Sequence, residues 1–311
     1  MNRREFVALA AAAPFFLGDL SARAASAPHA LVTCDAESRL ALVDLGALRI
    51  VGKVATPPDP RAIEQVGPYA VVCHTAAGVV TVVDRHRVRH TLHEFVEPRY
   101  VAAHPDGVHA FVTDSGSSGV VSIDTRSGRA LGRAGLSGWA RHVTIDASGR
   151  RLWVGLGSAA ASVAVVDVSD LRRPRHVDTV PTPFLSHDVG YAPDGSVWVT
   201  SGEKRESTVF GSRGNLRRRL AADGAPQHVT FSSNRAYVTS GVDGAFRVHG
   251  LTGEVLRTTA IPIGSYNVQH GLGFVLTPSL IRGTLAVLDD EGRLLRVLRV
   301  ASSCHDACFI A

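Results

Sequence analysis

A short apolar motif recurs along the chain at intervals of about 40 residues. It is rich in β-branched and aromatic residues, which favour β-strands. Its clearest copies are Tyr69-Ala70-Val71-Val72-Cys73, His109-Ala110-Phe111-Val112-Thr113, Arg151-Leu152-Trp153-Val154-Gly155, Ser196-Val197-Trp198-Val199-Thr200 and Arg235-Ala236-Tyr237-Val238-Thr239. Since one such unit cannot bury its own apolar faces, the repeats must stack on one another.

Each copy belongs to a larger repeat of four strands. Several copies follow a tight turn, such as Pro105-Asp106-Gly107, in which Pro presets the first turn dihedral and Gly accepts a positive φ. A second apolar strand ending in Asp comes next, as at residues 79–84 and 163–167, and a further strand follows, as at residues 294–300. Four short antiparallel strands per repeat are typical of one blade of a β-propeller.

Seven inner strands can be counted. They begin at Ala62, Tyr100, His142, His187, His228, Tyr266 and His305. The seventh lies at the C-terminus, while residues 29–34 read as the second strand of a blade, so the two segments are expected to pair. The prediction is an all-β, seven-bladed β-propeller over residues 26–311, closed by pairing of the N- and C-terminal strands, which removes exposed sheet edges.

The start of the chain reads as an export signal, predicted to span residues 1–25. Arg3-Arg4 precedes an Ala-rich apolar run at residues 8–18, and Ala22-Arg23-Ala24 resembles a cleavage site. The paired arginines resemble a twin-arginine-type signal, with a general secretory signal as the alternative. A periplasmic or secreted protein is expected. No later stretch reaches the ~20 apolar residues of a membrane helix, so no membrane span is expected in the mature chain.

Composition and charge limit the classes of partner that the protein is expected to bind. Hydrophobic residues make up 45% of the 311 residues and charged residues 20%, which is typical of globular proteins. The net charge of +5 comes from basic residues spread along the whole sequence. Without a cluster of Lys and Arg, no nucleic-acid partner is expected.

The repeat resembles a known family. Tyr237-Val238-Thr239, with its equivalents at Phe111 and Trp198 and with the Pro-Asp-Gly turns, is similar to the YVTN-type repeat of WD40/YVTN repeat-like propellers. That family includes periplasmic YncE-like proteins and the propellers of cytochrome d1-type haem proteins. The resemblance covers the mature chain and implies the propeller fold, but propellers host many functions. No Cys-x-x-Cys-His motif for attaching haem c occurs.

The starts of the inner strands predict a ligand site near the mouth of the central channel. The predicted ligand-binding residues are Arg61, Arg99, Tyr100, Arg141, His142, His187, His228, Tyr266 and His305. Polar residues at such a funnel favour a binding or scaffolding protein for a small molecule or a protein partner. The arginines are the expected contacts of an anion.

The channel histidines support a second hypothesis. His142, His187, His228 and His305 could hold copper, zinc or iron, all of which accept imidazole ligands, in a metal-dependent oxidoreductase. Asp35, Asp114 and Asp188 are candidate partners for the imidazole N–H groups. A third hypothesis is a propeller-type lyase or lactonase with a histidine base, and the alternative to all three is a set of solvated channel histidines. No catalytic motif assigns an acid or base.

The four cysteines suggest a bond at the closure of the ring. In an exported protein, an even number of cysteines favours disulfides. Cys34 ends the second strand of the first blade and Cys304 begins its inner strand, so a Cys34–Cys304 disulfide is predicted. Cys34–Cys73 and thiolate ligation of a metal are the alternatives. Of the other histidines, His270 is expected in a turn at the far end of an inner strand, and His74 in a loop or an outer strand.

Overall fold

The computed structural model describes residues 28–157 and 160–310. In these residues, the strands form seven four-stranded antiparallel sheets, numbered here as blades 1 to 7. Blade 1 contains, from the channel outwards, β28 (Ala307–Ile310), β1 (His29–Cys34), β2 (Arg39–Asp44) and β3 (Arg49–Ala55). The predicted all-β, seven-bladed propeller is confirmed.

The other blades run in chain order from the channel outwards. Blade 2 contains β4 (Pro60–Val66), β5 (Tyr69–His74), β6 (Val79–Val83) and β7 (Val88–Leu92). Blade 3 contains β8 (Pro98–Ala103), β9 (His109–Asp114), β10 (Gly119–Asp124) and β11 (Arg129–Gly135). Blade 4 contains β12 (Val143–Ile145), β13 (Arg151–Gly155), β14 (Ser162–Asp167) and β15 (Arg175–Pro181).

Blades 5 to 7 follow the same order. Blade 5 contains β16 (Asp188–Tyr191), β17 (Val197–Thr200), β18 (Glu206–Phe210) and β19 (Leu216–Ala221). Blade 6 contains β20 (Val229–Phe231), β21 (Arg235–Ser240), β22 (Ala245–Gly250) and β23 (Val255–Ala260). Blade 7 contains β24 (Gln269–Gly271), β25 (Phe274–Ser279), β26 (Thr284–Asp289) and β27 (Leu294–Arg299). A short 3-10 helix, Asp35–Glu37, connects β1 to β2.

The ring closes where the two ends of the chain pair. Antiparallel β1 and β28 set Leu31 opposite Cys308 and Val32 opposite Ala307. This pairing supplies blade 1 with an inner strand that its own N-terminal segment lacks. The predicted closure by the N- and C-terminal strands is therefore confirmed.

The core lies between blades. Successive residues of a strand point to opposite faces of its sheet, so each apolar strand contacts both neighbouring blades. In β1, Val32 packs with Val287 of blade 7, whereas Leu31 packs with Ile63 of blade 2. Burial on both faces explains why the second and third strands are almost continuously apolar.

The outer strands differ from the inner ones in exposure and register. In every blade the pairing of the third and fourth strands shifts register, for example between Leu42 and Val43 of blade 1. Such bulges increase the local twist of a sheet edge. The fourth strands are largely exposed and several are rich in Arg, as in β19 and β27, which discourages edge-to-edge association.

Two histidines lie elsewhere than predicted. The inner strand of blade 7 begins at Gln269, three residues later than its expected start, so His270 is a strand residue that stacks on Tyr237 with ring centroids 5.0 Å apart. His74 ends β5 and is fully buried, with Nε2 2.9 Å from the Thr81 hydroxyl. The predictions of a turn for His270 and of a loop or an outer strand for His74 were wrong, because both imidazoles find partners between packed strands.

The predicted export signal, residues 1–25, lies outside the described residues. Within residues 28–157 and 160–310, no helix has the length and apolar character needed to cross a membrane.

Candidate functional site

Two cavities meet inside the central channel. The upper cavity has a volume of about 310 Å³ and its lining includes Arg61, Arg99 and Arg141. The lower cavity has a volume of about 460 Å³ and its lining includes Glu64 and Asp306. One end of the channel is therefore lined by cationic side chains and the other by carboxyl groups.

Three histidines converge between these cavities. His142, His187 and His228 each offer a ring nitrogen, and these three nitrogens lie within 4.8 Å of one another. They come from three consecutive blades, each immediately before the inner strand β12, β16 or β20. His187 lines the upper cavity, His142 the lower one and His228 both. We call these three residues the histidine cluster.

The cluster is buried and incompletely hydrogen-bonded. His142 is 2% exposed and His228 is 7% exposed. Both ring nitrogens of His142 are buried without a hydrogen-bond partner among the residues that the structure describes. Tyr100 packs against its ring with centroids 3.7 Å apart. Since buried polar groups normally have partners, these free nitrogens are the most unusual feature of the channel.

All three imidazoles are held in the neutral form. Burial, together with the positive charge of Arg141, lowers the pKa of His187 to about 3. Burial likewise holds the pKa values of His142 and His228 well below the usual range, and neighbouring histidines and Arg141 add to this effect. At neutral pH the ring nitrogens therefore carry the free lone pairs that metal ligation requires.

Threonines at the ends of the second strands fix the height of the channel residues. Thr113 Oγ1 accepts the N–H of Tyr100 (3.0 Å) and donates to the carbonyl of Arg141 in the next blade. Thr200 makes the equivalent pair of bonds between blades 5 and 6. The Val-Thr end of the repeat motif is thus an inter-blade tie directly beside the histidine cluster.

Two aspartates tie neighbouring inner strands. Asp188 accepts the N–H of Val229 in the next blade (2.9 Å), and Asp306 accepts that of Ile63 (3.1 Å). Each also accepts the N–H of the residue that follows it. The sequence alone did not indicate this role, although both aspartates follow a channel histidine in a His-Asp pair.

Only one of the three aspartates predicted to support the histidines lies near a ring nitrogen of the cluster. Asp188 Oδ2 lies 3.5 Å from His228 Nδ1. Burial raises the pKa of Asp188 to about 7. Asp114 instead accepts the backbone N–H of Glu97 and pairs with Arg133. Asp35 bonds the hydroxyl of Ser303. Neither carboxyl group is a partner of the histidine cluster, because each already bonds other groups.

The predicted ligand-binding residues outside the cluster all line the upper cavity: Arg61, Arg99, Tyr100, Arg141, Tyr266 and His305. His305 lies outside the histidine cluster, and its Nδ1 is 3.3 Å from the side-chain nitrogen of Asn267. Of the four histidines predicted as metal ligands, the structure therefore brings three together. Of these three, His142 and His228 are buried and His187 is half-buried.

A second group of possible metal ligands lies on the surface, in the turn after β8. His109 Nδ1 is 2.6 Å and His104 Nδ1 is 3.0 Å from Asp106 Oδ2. The other His104 nitrogen lies 3.1 Å from the carbonyl of Gly149. These side chains already have partners that hold the turn, in contrast to His142.

The four cysteines are free thiols in this structure. Cys34 and Cys304 lie within hydrogen-bonding reach of each other where the ring closes. Burial raises the pKa of Cys73 and Cys308 far above the usual range. The Cys34–Cys304 disulfide stays a prediction, and its two sulfur atoms are already neighbours.

Comparisons with known proteins identify the fold. The chain is similar to hydrazine synthase of Kuenenia stuttgartiensis, with a TM-score of 0.75 and 17% identity over 84% of this chain and 92% of that one. It is also similar to a functionally unknown protein from Desulfotomaculum acetoxidans, with a TM-score of 0.78 and 11% identity over 91% of this chain and 98% of that one.

A further similar structure is the dihydro-heme d1 dehydrogenase NirN in complex with DHE. Its TM-score is 0.64 and its identity 12%, over 89% of this chain and 74% of that one. At these identities the similarity establishes the propeller fold alone. No protein-family model matches the chain, and no curated protein matches it. Membership of the YVTN-type family therefore stays a prediction.

Proposed function

We propose that this chain is a binding propeller whose channel holds one transition-metal ion on His142, His187 and His228. One observation carries the proposal: three neutral imidazoles from three blades converge within 4.8 Å, and both nitrogens of His142 lack a partner among the described residues. Burying such groups without partners costs free energy, and a metal ion would satisfy one nitrogen of each of the three rings.

The geometry is compatible with ligation after small movements. Imidazole nitrogens bind zinc at about 2.0–2.1 Å, which places two nitrogens of a tetrahedral site roughly 3.3 Å apart. Small rotations of the three rings would bring nitrogens that lie within 4.8 Å to that spacing. Imidazole ligands suit copper, zinc and iron. Three protein ligands also leave a coordination position open, as in metal sites that bind a further molecule.

The surroundings supply a partner for one of the imidazoles. The carboxyl group of Asp188 lies beside Nδ1 of His228. After a small approach to hydrogen-bonding distance, this carboxyl group would orient the ring and make its other nitrogen a better ligand. The Thr113 tie holds the backbone of Arg141, next to His142, at a fixed height. The site is thus built on backbone positions that neighbouring blades fix.

We also propose that the protein is located outside the cytoplasm, since residues 1–25 predict export. We further propose that it belongs to the YVTN-type propellers that its repeat resembles. NirN, a protein with the same fold, has been described in complex with a ligand, which is consistent with a binding role for such a propeller. No observation in the described part of the channel specifically favours an oxidoreductase, lyase or lactonase activity.

Metal analysis of three proteins tests the proposal. Purified wild-type protein, incubated with Zn²⁺ or Cu²⁺ and desalted, should retain one ion per chain. His187→Ala should lose it, since one of three ligands is removed from a half-buried position. His305→Ala is the matched control, because it removes a channel imidazole outside the cluster and should retain the ion. Equal metal content in the wild type and His187→Ala would refute the site.

A second measurement distinguishes loss of the metal site from loss of folding. Metal at 100 times its dissociation constant should stabilise the wild type by about 2.7 kcal/mol, which is measured as a higher melting temperature. His187→Ala should melt cooperatively without this increase. If metal raises the melting temperature of both proteins equally, the stabilisation comes from another site.

A further inference from the structure

Three arginines enter the upper cavity from three consecutive blades. Arg61, Arg99 and Arg141 each stand directly before a channel position, at Ala62, Tyr100 and His142. Arg61 pairs with Asp59 at 2.8 Å, and Arg99 pairs with Glu97. Arg141 has no ion-pair partner among residues 28–157 and 160–310. Its charge is therefore the one in this trio that lacks a carboxylate at ion-pair distance.

Trp139 holds two of these guanidinium groups. Arg99 lies over its ring with the guanidinium carbon 4.7 Å from the centroid, and Arg141 lies at 5.7 Å. Cation–π contact holds a guanidinium group in place without neutralising its charge. The Nε atoms of both arginines are buried and have no hydrogen-bond partner among the described residues. Because these Nε atoms are inaccessible to solvent, an anion in the upper cavity would contact the terminal nitrogens of the guanidinium groups instead.

The charge of Arg141 reaches the whole histidine cluster. Arg141 directly precedes His142 in the chain and lines the upper cavity together with His187 and His228. The carboxyl groups of the channel, including Glu64, line the lower cavity and not the upper one. A metal ion on the cluster would add positive charge beside Arg141, and no side chain of the upper cavity supplies the balancing negative charge.

We propose that the upper cavity binds a small monovalent anion, a carboxylate or oxyanion, between Arg141 and the open position of the metal ion. This inference rests on the proposed metal site, because the anion is placed on the side of the histidine cluster that faces the upper cavity. Guanidinium groups match such anions with paired, charge-assisted hydrogen bonds. A cavity of about 310 Å³ suits a small ligand.

Anion titration of the Cu²⁺-loaded protein tests this inference, with azide as a spectroscopic probe and formate as its competitor. Azide should bind the wild type, and formate should displace it. Arg141→Gln should retain copper but bind azide about 10–100-fold more weakly, because a charge-assisted hydrogen bond contributes about 1.5–3 kcal/mol. Arg141→Lys keeps the charge but loses the planar guanidinium group. Its affinity for azide should lie between those of the wild type and Arg141→Gln.

A matched variant controls for the loss of one positive charge. Arg89 lies on an outer strand, where its side chain pairs with Asp84. The variant Arg89→Gln should bind azide as the wild type does. Copper content is measured first in every protein. If the wild type holds no copper, both the metal site and this inference fail. If copper is retained but Arg141→Gln binds azide as tightly as the wild type, only the anion site is refuted.

Discussion

At the scale of single residues, hydroxyl and carboxyl groups that join neighbouring blades position the channel. Thr113 is fully buried and satisfies one N–H in its own blade and one carbonyl in the next. Asp306 joins the closing strand to blade 2 in a similar way. These ties stabilise the fold and place the backbone of the ligands, so a change in one of them is expected to alter both stability and metal binding.

Thr113→Val tests the tie directly. The substitution keeps the shape of the side chain but leaves the N–H of Tyr100 and the carbonyl of Arg141 without this partner, which costs about 1–3 kcal/mol. The free energy of unfolding, measured in urea, should fall by that amount, and metal affinity should fall as well. Thr113→Ser, which keeps the hydroxyl, is the control. An unchanged free energy of unfolding in Thr113→Val would contradict the assigned role.

At the scale of elements, the closure of blade 1 is the point where the ring depends on two distant segments. The thiols of Cys34 and Cys304 meet there, next to the pairing of β1 with β28. Elsewhere in the ring, one continuous chain connects each inner strand to its own blade. A covalent bond at the closure would therefore restrict the unfolded chain over almost its whole length.

Oxidation should stabilise the protein through this pair. In the chain-entropy description, a disulfide that closes so long a loop adds on the order of 3–5 kcal/mol to the free energy of unfolding. Mild oxidation should link Cys34 to Cys304, identified by peptide mapping, and should raise the melting temperature. Cys304→Ser should abolish this increase, while Cys73→Ser should retain it. A Cys34–Cys73 peptide or no response to oxidation would contradict the prediction.

The elements were also the part that the sequence predicted best. The blades, their order and the closing strand follow from a repeat whose apolar positions reflect burial on both faces of a sheet, as at Val32 and Leu31. The start of β24 and the environment of His270 were predicted less well. The Tyr266-Asn267-Val268 segment has the composition of a strand, but it lines the channel before pairing begins at Gln269.

At the scale of the whole molecule, the channel has ends of opposite character. Arginines line the upper cavity, and Glu64, Asp188 and Asp306 line the lower one. The sequence indicated which residues enter the channel but not which three histidines converge, because that depends on the curvature of the closed ring. Nor could it predict the unpartnered nitrogens of His142, which result from burial by residues of several blades.

The lower cavity predicts a specific pH dependence of stability. Burial raises the pKa of Glu64 from 4.5 to about 7 in the folded chain. The folded chain therefore holds this proton more tightly than the unfolded chain, and the contribution to the free energy of unfolding falls as pH rises from about 4.5 to 7. Glu64→Gln removes the titration.

Urea unfolding of both proteins at pH 5 and pH 7.5 measures the effect of Glu64. Between pH 5 and pH 7.5, the free energy of unfolding of the wild type should fall by about 1–3 kcal/mol more than that of Glu64→Gln. Both proteins also carry Asp188 and Asp306, whose pKa values burial raises. Because the charge of Glu64 adds to the raised pKa of Asp306, the difference between the two proteins measures Glu64 together with this coupling. Parallel pH profiles would show that the Glu64 carboxyl group is not held in its protonated form by burial.

The most direct measurement is a crystal structure of the Zn²⁺- or Cu²⁺-loaded protein with an anomalous difference map recorded at the absorption edge of the metal. The account predicts one strong peak between the two cavities, with ring nitrogens of His142, His187 and His228 at about 2.0–2.1 Å. A channel without a peak, or a peak only at the surface group of His104, Asp106 and His109, would contradict it.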